Sequence, residues 1–198
     1  MEALVIILVC VMGYLVGAIP TGYFFCKLFF GIDITQYGSG NIGASNVARV
    51  IGKKYFIFIT FIDALKAYGV LACTQWLITA TGNLSAWILY VGITSLLVGN
   101  AYSIFLNFRG GKGVATALGI MFFTLPGAAV GLFLVTWAGL LLLSKQPFIA
   151  SLASIVVVIN FLVIAGANDH ALLIGAIAGW FVLRHRSNIS AFLKKNDS

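Results

Sequence analysis

The residues most able to do chemistry in this sequence lie in a glycine-rich, basic stretch, LNFRGGKGVAT, at positions 106–116. Glycines and cations alternate within it: Arg109, Gly110, Gly111, Lys112 and Gly113. Glycine allows backbone N–H groups to approach a ligand closely, and the cations add positive charge. The stretch therefore favours binding of a phosphate or another anion. It is not a nucleotide-binding P-loop, because that motif has Ser or Thr after its lysine, where this sequence has Gly113.

Another glycine-rich stretch, YGSGNIGASNVAR at positions 37–49, has a similar composition. In chain order, positions 37–49 are the first stretch, or first loop, and positions 106–116 are the second. The candidate ligand-binding residues of the first stretch are hydrogen-bond donors, glycines and one cation: Ser39, Gly40, Asn41, Gly43, Asn46 and Arg49. A flexible linker has no use for asparagine and arginine among its glycines, so we expect an anion site here as well. The alternative for both stretches is a tight turn or linker with ordinary charges beside a membrane. We expect the two loops to meet at one membrane face.

The composition is that of an integral membrane protein. Of the 198 residues, 61% are hydrophobic and only 9% are charged, and the mean hydropathy is +1.07. No polar segment is long enough to fold separately, so residues 1–198 are predicted to form a single domain. The net charge of +7 does not indicate a nucleic-acid partner, because the basic residues lie at the ends of apolar runs.

Long apolar runs separated by turn signals predict an all-α fold with about seven transmembrane helices. The runs cover residues 3–25, 55–78, 86–105, 114–143, 148–165 and 171–183. The run 114–143 is predicted to form two short helices that are broken at Pro126. The N-terminal run is expected to be a retained membrane helix rather than a signal peptide. Pro20 is expected to kink that helix, and Gly13 and Gly17 to allow close contact with a neighbouring helix.

The distribution of positive charge predicts the orientation of these helices. The cations outside the predicted spans all fall on one side: Lys27, Arg49, Lys53, Lys54, Arg109, Lys112, Lys145, Arg184, Arg186, Lys194 and Lys195. Lys66 alone lies within a span. Cytoplasmic loops of membrane proteins are enriched in Lys and Arg. We therefore expect the N-terminus outside, and both glycine-rich loops and the C-terminus in the cytoplasm.

Two pairs of ionisable residues are expected to be structural rather than catalytic. Asp63 and Lys66 are three residues apart within a span, so they can form an ion pair on one face of the helix. Asp169 and His170, in the sequence GANDH, are predicted to lie in an outer turn, away from every basic loop.

The last two apolar runs carry the remaining candidate catalytic residues. His185 stands at the cytoplasmic end of the final run, with Asn188 three residues later on the same helical side. Ser151 and Ser154 have the same spacing near the start of the preceding run. A role in the site competes with an ordinary interfacial position for His185. For the serines it competes with helix packing through small side chains.

Several catalytic patterns are missing from the sequence. The five acidic residues are scattered, which argues against a two-metal carboxylate site, and no histidine begins an HxxxxD motif. No cysteine lies near either loop, so a thioester intermediate is not expected. What remains is a site of backbone amides, hydroxyls, side-chain amides and cations. Such a site stabilises developing negative charge and aligns two anionic reactants, without a metal or a cofactor.

Four motifs, GSGNIGASNVAR, FRGGKGVAT, SLAS and RHRSNI, occur in this order and span nearly the whole chain. Together they resemble the motifs of the bacterial acyl-phosphate:glycerol-3-phosphate acyltransferase family. The resemblance implies transfer of a fatty acyl group from acyl phosphate to the 1-hydroxyl of glycerol 3-phosphate, giving lysophosphatidate and phosphate. This is the first acylation of bacterial phospholipid synthesis. It also implies a seven-helix fold in the bacterial inner membrane, with the motifs on the cytoplasmic side.

The resemblance further implies roles for individual residues. The phosphate of acyl phosphate would be held by the RGGKG backbone and by first-loop groups, namely the glycines, Ser39 and Asn41. Arg49 and Lys112 would bind the phosphate of glycerol 3-phosphate. Three residues would complete the acceptor site and orient its hydroxyl: Ser151, His185 and Asn188. The acyl chain would lie between apolar helices in the bilayer, and the acceptor's own phosphate would serve as the base.

The sequence departs from the family pattern at three positions. The family usually has His and Pro before RGGKG, where this chain has Asn100 and Ser103, and its DxxKG motif reads DALKA, with Ala67 in place of Gly. A diverged paralogue with an altered substrate is therefore one alternative. A small anion transporter is another, although the sequence shows no convincing internal repeat. A structural scaffold would leave the polar content of the first loop unexplained.

Overall fold

The computed structural model describes residues 2–82 and 84–196, and every regular element within these ranges is a helix. The α-helices are α1 Glu2–Ala18, α2 Thr21–Phe30, α3 Ala44–Ile51, α4 Tyr55–Thr81, α5 Ile88–Ala101, α6 Val114–Thr124, α7 Gly127–Ser144, α8 Pro147–Ile164 and α9 Asn168–Asn196. Short 3-10 turns occupy Ile34–Gln36 and Ile104–Leu106. The predicted all-α class is confirmed.

The breaks between helices follow the strongest turn signals in the sequence. Pro20 separates α1 from α2, and the two helices are bent by 42° at this point. A proline inside a helix removes one backbone hydrogen bond, and its ring clashes with the preceding turn. Pro126 separates α6 from α7 and is the N-cap residue of α7. Both predicted breaks are confirmed.

At three places the local structure differs from the expectations or goes beyond them. The polar segment between the first two apolar runs contains a helix, α3, which was not predicted. Asp169 and His170 lie in the first turn of α9 rather than in an outer turn, and an acidic residue there is favoured by the helix dipole. The final helix extends past the apolar run that ends at residue 183, since α9 continues to Asn196 through the basic tail.

By length and composition, three of the described helices could cross a membrane: α4, α7 and α8. The bent pair of α1 and α2 would add a fourth span if it is counted as one, while α5 and α6 are shorter apolar helices. The count of about seven spans and their orientation stay predictions.

The chain packs as two units, Met1–Phe123 and Thr124–Ser198. In the first unit, α1 packs along α5 and both contact α4, whereas α3 packs against α2 and α4. In the second unit, α8 contacts both α7 and α9. Both glycine-rich loops therefore belong to the first unit, and the SLAS and RHRSNI motifs belong to the second. The single domain expected from the sequence stays a prediction.

Glycines allow α1 and α5 to pack closely. A Cβ atom added to Gly17 would lie 2.4 Å from the backbone oxygen of Leu96, and one added to Gly99 would lie 2.2 Å from that of Tyr14. Both neighbours are backbone atoms, which cannot move aside as a flexible side chain can. Gly13 faces α5 one turn earlier, with a Cβ position 2.9 Å from the nearest α5 atom. The predicted close contact through Gly13 and Gly17 is confirmed.

An ion pair within α4 supports the break between α1 and α2. The Lys66 ammonium lies 2.7 Å from the Asp63 carboxylate and also donates to the backbone oxygen of Ile19 at 2.7 Å. The Thr21 hydroxyl donates to the same carboxylate at 2.7 Å. Pro20 disrupts the helix ladder here, so these side chains satisfy backbone and charged groups that would otherwise be unpaired. The predicted ion pair with a structural role is confirmed.

Candidate active site

The loop before α3 is held in shape by one buried side chain, that of Asn46, which is 2% exposed. Its Oδ1 accepts a hydrogen bond from the Ser39 N–H at 2.8 Å, and its Nδ2 donates to the Tyr37 carbonyl at 2.9 Å. Gly38 has a φ of +62°, and a Cβ atom there would lie 2.2 Å from Asn46 Oδ1. The Asn46 amide is therefore used by the backbone of its own loop, which it positions.

The other predicted ligand-binding residues of this loop differ in their surroundings. Asn41 Oδ1 accepts from the Gly43 N–H at 2.8 Å, so this amide orders the entry into α3. Ser39 and Arg49 are exposed, and Arg49 Nη1 lies 3.5 Å from Asn46 Oδ1. The loop therefore combines a rigid inner edge with an exposed hydroxyl and an exposed guanidinium, which are the groups suited to bind an anion.

The two glycine-rich stretches rest on the same hydrophobic cluster. Ile42, Ala44 and Val47, from the first stretch, belong to a buried cluster that also contains Cys26, Ile34 and Ile59. Leu106, the first residue of the second stretch, packs against that cluster. The amphipathic character of α3 explains the arrangement, because its apolar side anchors the loop while Arg49 stays exposed. Both stretches are thus anchored on one core, as expected if they serve one site.

The RGGKG stretch is folded back onto the end of α5. Ser103 and Arg109 form an isolated antiparallel bridge, and the Phe108 N–H donates to the Ser103 carbonyl at 2.8 Å. Asn107 and Phe108 both have positive φ values, 52° and 60°, which reverse the chain before the glycines. The Ser103 hydroxyl donates to the Ala18 carbonyl at 2.5 Å. Ser103, at the position where the family usually has proline, therefore ties this turn to the end of α1.

The glycines of RGGKG have different physical roles. A Cβ atom on Gly110 would lie 2.2 Å from the Asn100 backbone oxygen, so only glycine fits against α5 at this point. The Gly111 N–H donates to that same oxygen at 2.8 Å. Gly113 has a φ of +85°, and its carbonyl accepts from the Ala117 N–H at the start of α6. The stretch therefore leads into a helix N-terminus, where backbone N–H groups favour anions.

Two buried polar side chains next to this stretch were not predicted as site residues. Asn100, in the last turn of α5, is 9% exposed, and Thr116, in the first turn of α6, is 1% exposed. Asn100 Oδ1 and Thr116 Oγ1 have no hydrogen-bond partner among the residues that the structure describes. The substitution of Asn100 for a family histidine was the only sequence signal at these positions.

An acidic residue lies just before the first loop. Asp33 is the N-cap of the 3-10 turn Ile34–Gln36, and its carboxylate accepts from the Thr35 hydroxyl at 2.6 Å and from the Thr35 N–H at 3.0 Å. These two hydrogen bonds hold the pKa of the Asp33 carboxyl below its usual range, and the bond from the Thr35 hydroxyl has the larger effect. The carboxylate is therefore ionised at neutral pH and acts as a turn-forming group.

In the second unit, the Ser151 hydroxyl is engaged within its own helix pair. Ser151 is 1% exposed; its Oγ donates to the Pro147 carbonyl at 2.8 Å and accepts from Trp137 Nε1 at 3.1 Å. The hydroxyl thus joins α7 to the first turn of α8. The contact of Trp137 with Ser151 could not be read from the sequence, because the two residues lie on different helices.

His185 is buried in α9 rather than exposed at an interface, with 3% of its surface accessible. Its Nδ1 lies 2.9 Å from the Phe181 carbonyl, which can only accept, so Nδ1 carries the proton in this bond. Its ring stacks on Phe148 with an interplanar angle of 24°. Packing and the Nδ1 hydrogen bond therefore fix the orientation of Nε2. Asn188, half-buried, follows on the same helical side.

The described part of the chain, residues 2–82 and 84–196, brings together no group of three or more His, Cys, Asp and Glu side chains that could hold a metal ion. The first unit presents backbone amides, exposed hydroxyls and cations around two rigid loops. Such groups bind phosphates and stabilise negative charge that develops on oxygen.

Comparison with known proteins identifies relatives over almost the entire length. Residues 7–195 match the family model described as glycerol-3-phosphate acyltransferase. A glycerol-3-phosphate acyltransferase of Aquifex aeolicus is 37% identical over 185 residues, which cover 92% of this chain and 93% of the relative. One from Staphylococcus saprophyticus is 37% identical over 198 residues, which cover 96% of each chain.

Two crystal structures share the fold. Both are of PlsY, described as an integral membrane glycerol 3-phosphate acyltransferase, one in a glycerol 3-phosphate form and one in a lysophosphatidic acid form. The TM-scores are 0.83 and 0.81, the identity is 31% in each case, and the match covers 96% of this chain and 92% of the other. An all-helical chain with this likeness is a multi-pass membrane protein.

Proposed function

The chain belongs to the glycerol-3-phosphate acyltransferase family, and we propose that it transfers a fatty acyl group from acyl phosphate to the 1-hydroxyl of glycerol 3-phosphate. The products are lysophosphatidate and inorganic phosphate. The observation that carries this proposal is that the family match over residues 7–195 includes both glycine-rich loops, which rest on one hydrophobic cluster. Two phosphate-bearing substrates require two sets of anion-binding groups at one place.

The reaction needs little covalent chemistry from the protein. The 1-hydroxyl oxygen attacks the carbonyl carbon of acyl phosphate, an ester bond forms, and the bond from that carbon to the phosphate oxygen breaks. The hydroxyl proton passes to the phosphate of the acceptor, and inorganic phosphate leaves with the bonding electrons. The rate then depends on alignment of the two substrates and on stabilisation of the oxyanion that develops on the carbonyl.

The first unit supplies the phosphate-binding groups of the proposal. The residues proposed for acyl phosphate lie in the first loop and the RGGKG stretch: Ser39, Gly40, Asn41, Gly43, Gly110, Gly111 and Gly113. The N–H groups of Gly40, Gly43 and Gly111 donate within the fold, so these glycines contribute by shaping the loops. Arg49 and Lys112 bind the phosphate of glycerol 3-phosphate, and Arg109 adds positive charge beside them. Asn46 acts by holding the first loop in shape, as its hydrogen bonds to Ser39 and Tyr37 support.

Ser151, His185 and Asn188 are proposed to serve the acceptor, and this assignment rests on the motifs SLAS and RHRSNI. The bond from His185 Nδ1 to the Phe181 carbonyl supports a role for this ring, because a histidine held by one nitrogen presents the other in a defined direction. Because the ring is buried, its surroundings hold it in place, which supports a role in orienting a ligand hydroxyl.

The proposal places the protein in the inner membrane, with the N-terminus outside and the active site on the cytoplasmic face. The support is the positive-inside distribution, since the cations outside the predicted spans all fall on the side that carries both glycine-rich loops. The acyl chain of the donor lies among apolar helices in the bilayer, while its phosphate stays at the interface.

Release of inorganic phosphate by the purified protein in lipid tests the proposal. Palmitoyl phosphate is supplied with and without glycerol 3-phosphate, and palmitoyl-CoA serves as the control donor. We expect phosphate release only when palmitoyl phosphate and glycerol 3-phosphate are both present, with lysophosphatidate formed in equal amount.

Three results would contradict the proposal. Equal release without the acceptor would indicate hydrolysis, and equal turnover with palmitoyl-CoA would contradict the donor. Transport of phosphate into vesicles without any acyl transfer would favour the anion transporter.

The variant Lys53→Ala is the matched control for substitutions of the loop cations Arg49 and Lys112, because Lys53 is exposed in the turn before α4.

A further inference from the structure

One buried amide beside the RGGKG stretch is not explained by the fold. Asn100 is 9% exposed, and its Oδ1 has no hydrogen-bond partner within residues 2–82 and 84–196. The oxygen lies against the stretch, since a Cβ atom added to Gly111 would be 3.1 Å away from it. Buried acceptors in proteins are almost always paired, so an unpaired one at a ligand-binding loop indicates a group that the ligand pairs.

A second unpaired group lies one helical turn beyond Gly113. Threonines inside helices usually donate to the carbonyl four residues earlier. Several threonines of this chain do so: Thr74, Thr81, Thr94 and Thr136. Thr116, which is fully buried, has no hydrogen-bond partner for its hydroxyl in the described part of the chain. An unpaired polar group therefore lies on each side of the RGGKG stretch: Asn100 at the end of α5, before it, and Thr116 at the start of α6, after it.

The chemistry of Asn100 Oδ1 selects the ligand group. A side-chain carbonyl only accepts hydrogen bonds, and a phosphate dianion also only accepts, so the partner is a hydroxyl. Glycerol 3-phosphate has two hydroxyls, and the 1-hydroxyl loses its proton during acyl transfer. The middle hydroxyl is on the carbon adjacent to the one that carries the phosphate. It takes no part in the reaction, so a fixed hydrogen bond to Asn100 Oδ1 leaves the 1-hydroxyl free to react.

We propose that Asn100 is a specificity residue, whose side-chain carbonyl accepts a hydrogen bond from the middle hydroxyl of the acceptor. This inference rests on the proposed function, because it takes glycerol 3-phosphate as the acceptor. Asn100 thereby distinguishes an acceptor with two hydroxyls from a phosphate ester with only one. An amide is suited to this task because it does not titrate near neutral pH and cannot take the proton of the reacting hydroxyl.

A comparison of two acceptors tests the inference. Glycerol 3-phosphate is compared with 3-hydroxypropyl phosphate, which keeps the reacting hydroxyl and lacks the middle one. Wild-type protein should prefer glycerol 3-phosphate by about tenfold or more in kcat/KM, because the deoxy acceptor leaves a buried oxygen unpaired. In Asn100→Ala and in the near-isosteric Asn100→Leu, the ratio of kcat/KM for the two acceptors should fall towards one. The change should come mainly from loss of activity on glycerol 3-phosphate. Asn160→Ala, which removes an exposed amide of α8, should keep the wild-type preference.

Calorimetric titration of both acceptors without any acyl donor separates this inference from the proposed function. Binding that discriminates in wild type and not in the Asn100 variants would support the role of Asn100, even if acyl phosphate proved to be the wrong donor. Binding of glycerol 3-phosphate without discrimination by wild type would overturn the inference alone. Equal losses on both acceptors in the variants would also overturn it, since that pattern indicates support of the fold or an ordered water on Oδ1. A wild-type protein that binds neither acceptor would overturn both proposals.

Discussion

Replacement of Asn46 by alanine tests whether a single side chain holds the first glycine-rich loop in shape. Two hydrogen bonds of near-ideal length are lost, at 2.8 Å from the Ser39 N–H and 2.9 Å to the Tyr37 carbonyl. The contacts at 3.4 Å to Ile34 and 3.5 Å from Arg49 are long and contribute little. Each good bond contributes about 0.5–1.5 kcal/mol net, so the closed loop should lose about 2 kcal/mol.

The loss of stability in Asn46→Ala should be confined to the first loop. Tyr37 and Ser39 are exposed, so water can pair with the freed backbone groups and the penalty for unpaired buried groups does not arise. Ala44 and Val47 still anchor α3 in its hydrophobic cluster. A change of about 2 kcal/mol raises the open fraction of the loop about thirtyfold. The melting temperature of the protein should change little in comparison.

Amide hydrogen exchange of wild type and Asn46→Ala in the same lipid measures the effect, together with phosphate release. We expect exchange about thirtyfold faster at residues 37–41 and a lower kcat/KM. Asn160→Ala should show neither change. Unchanged exchange with full activity would refute the positioning role. Unchanged exchange with lost activity would also refute it, and would indicate that Asn46 contacts the ligand directly.

Four further substitutions test other parts of the structure. Lys112→Ala and Arg49→Ala should each raise the KM for glycerol 3-phosphate at least tenfold, since charge-assisted phosphate contacts contribute about 1.5–3 kcal/mol each. His185→Phe should lower turnover without unfolding the protein, because it keeps the stacked ring and removes both nitrogens. Gly99→Ala should destabilise the protein by about 1–3 kcal/mol in thermal unfolding, because its methyl group would overlap the Tyr14 carbonyl.

Matched controls accompany these substitutions. Lys53→Ala removes an exposed loop cation and should keep the acceptor kinetics. Gly69→Ala adds a methyl group within α4 where no atom lies within 4 Å, so it should not destabilise the protein. Wild-type KM in the Lys112 and Arg49 variants would rule out the acceptor site as proposed. Full turnover in His185→Phe would assign that ring to packing alone, and an unchanged melting temperature in Gly99→Ala would contradict the close contact of α1 and α5.

Features that depend on neighbouring residues were predicted well. Pro20 and Pro126 break helices because a proline cannot complete the local hydrogen-bond ladder, whatever surrounds it. Asp63 and Lys66 pair because one helical turn places them on the same face. Gly13 and Gly17 lie at a helix contact because their spacing forms a flat strip on α1. The glycine-rich composition of both loops predicts anion binding, and this stays a prediction.

Features that depend on residues far apart in the sequence were missed. The helix α3 was not predicted, because its short apolar side is completed by Cys26, Ile34 and Ile59 from other segments. The helical position of Asn188 was expected, but the full extent of α9 to Asn196 was not, because no apolar run marks the helix in the basic tail. Asn46 was expected to bind a ligand, and its partners proved to be backbone groups of its own loop.

Composition and motifs alone were enough to predict an all-helical membrane protein that carries two glycine-rich loops and the motifs of an acyltransferase family. Composition, proline positions and the order of the motifs are properties of the sequence itself. They do not depend on what the chain packs against. Packing, by contrast, sets which polar groups are paired within the fold and which have no partner among the described residues. Ser103 pairs with Ala18, and Gly111 with the Asn100 backbone, whereas Asn100 Oδ1 has no partner among the described residues. Hydrogen-bond partners depend on atoms brought together by folding, so no pattern along the chain could distinguish these outcomes.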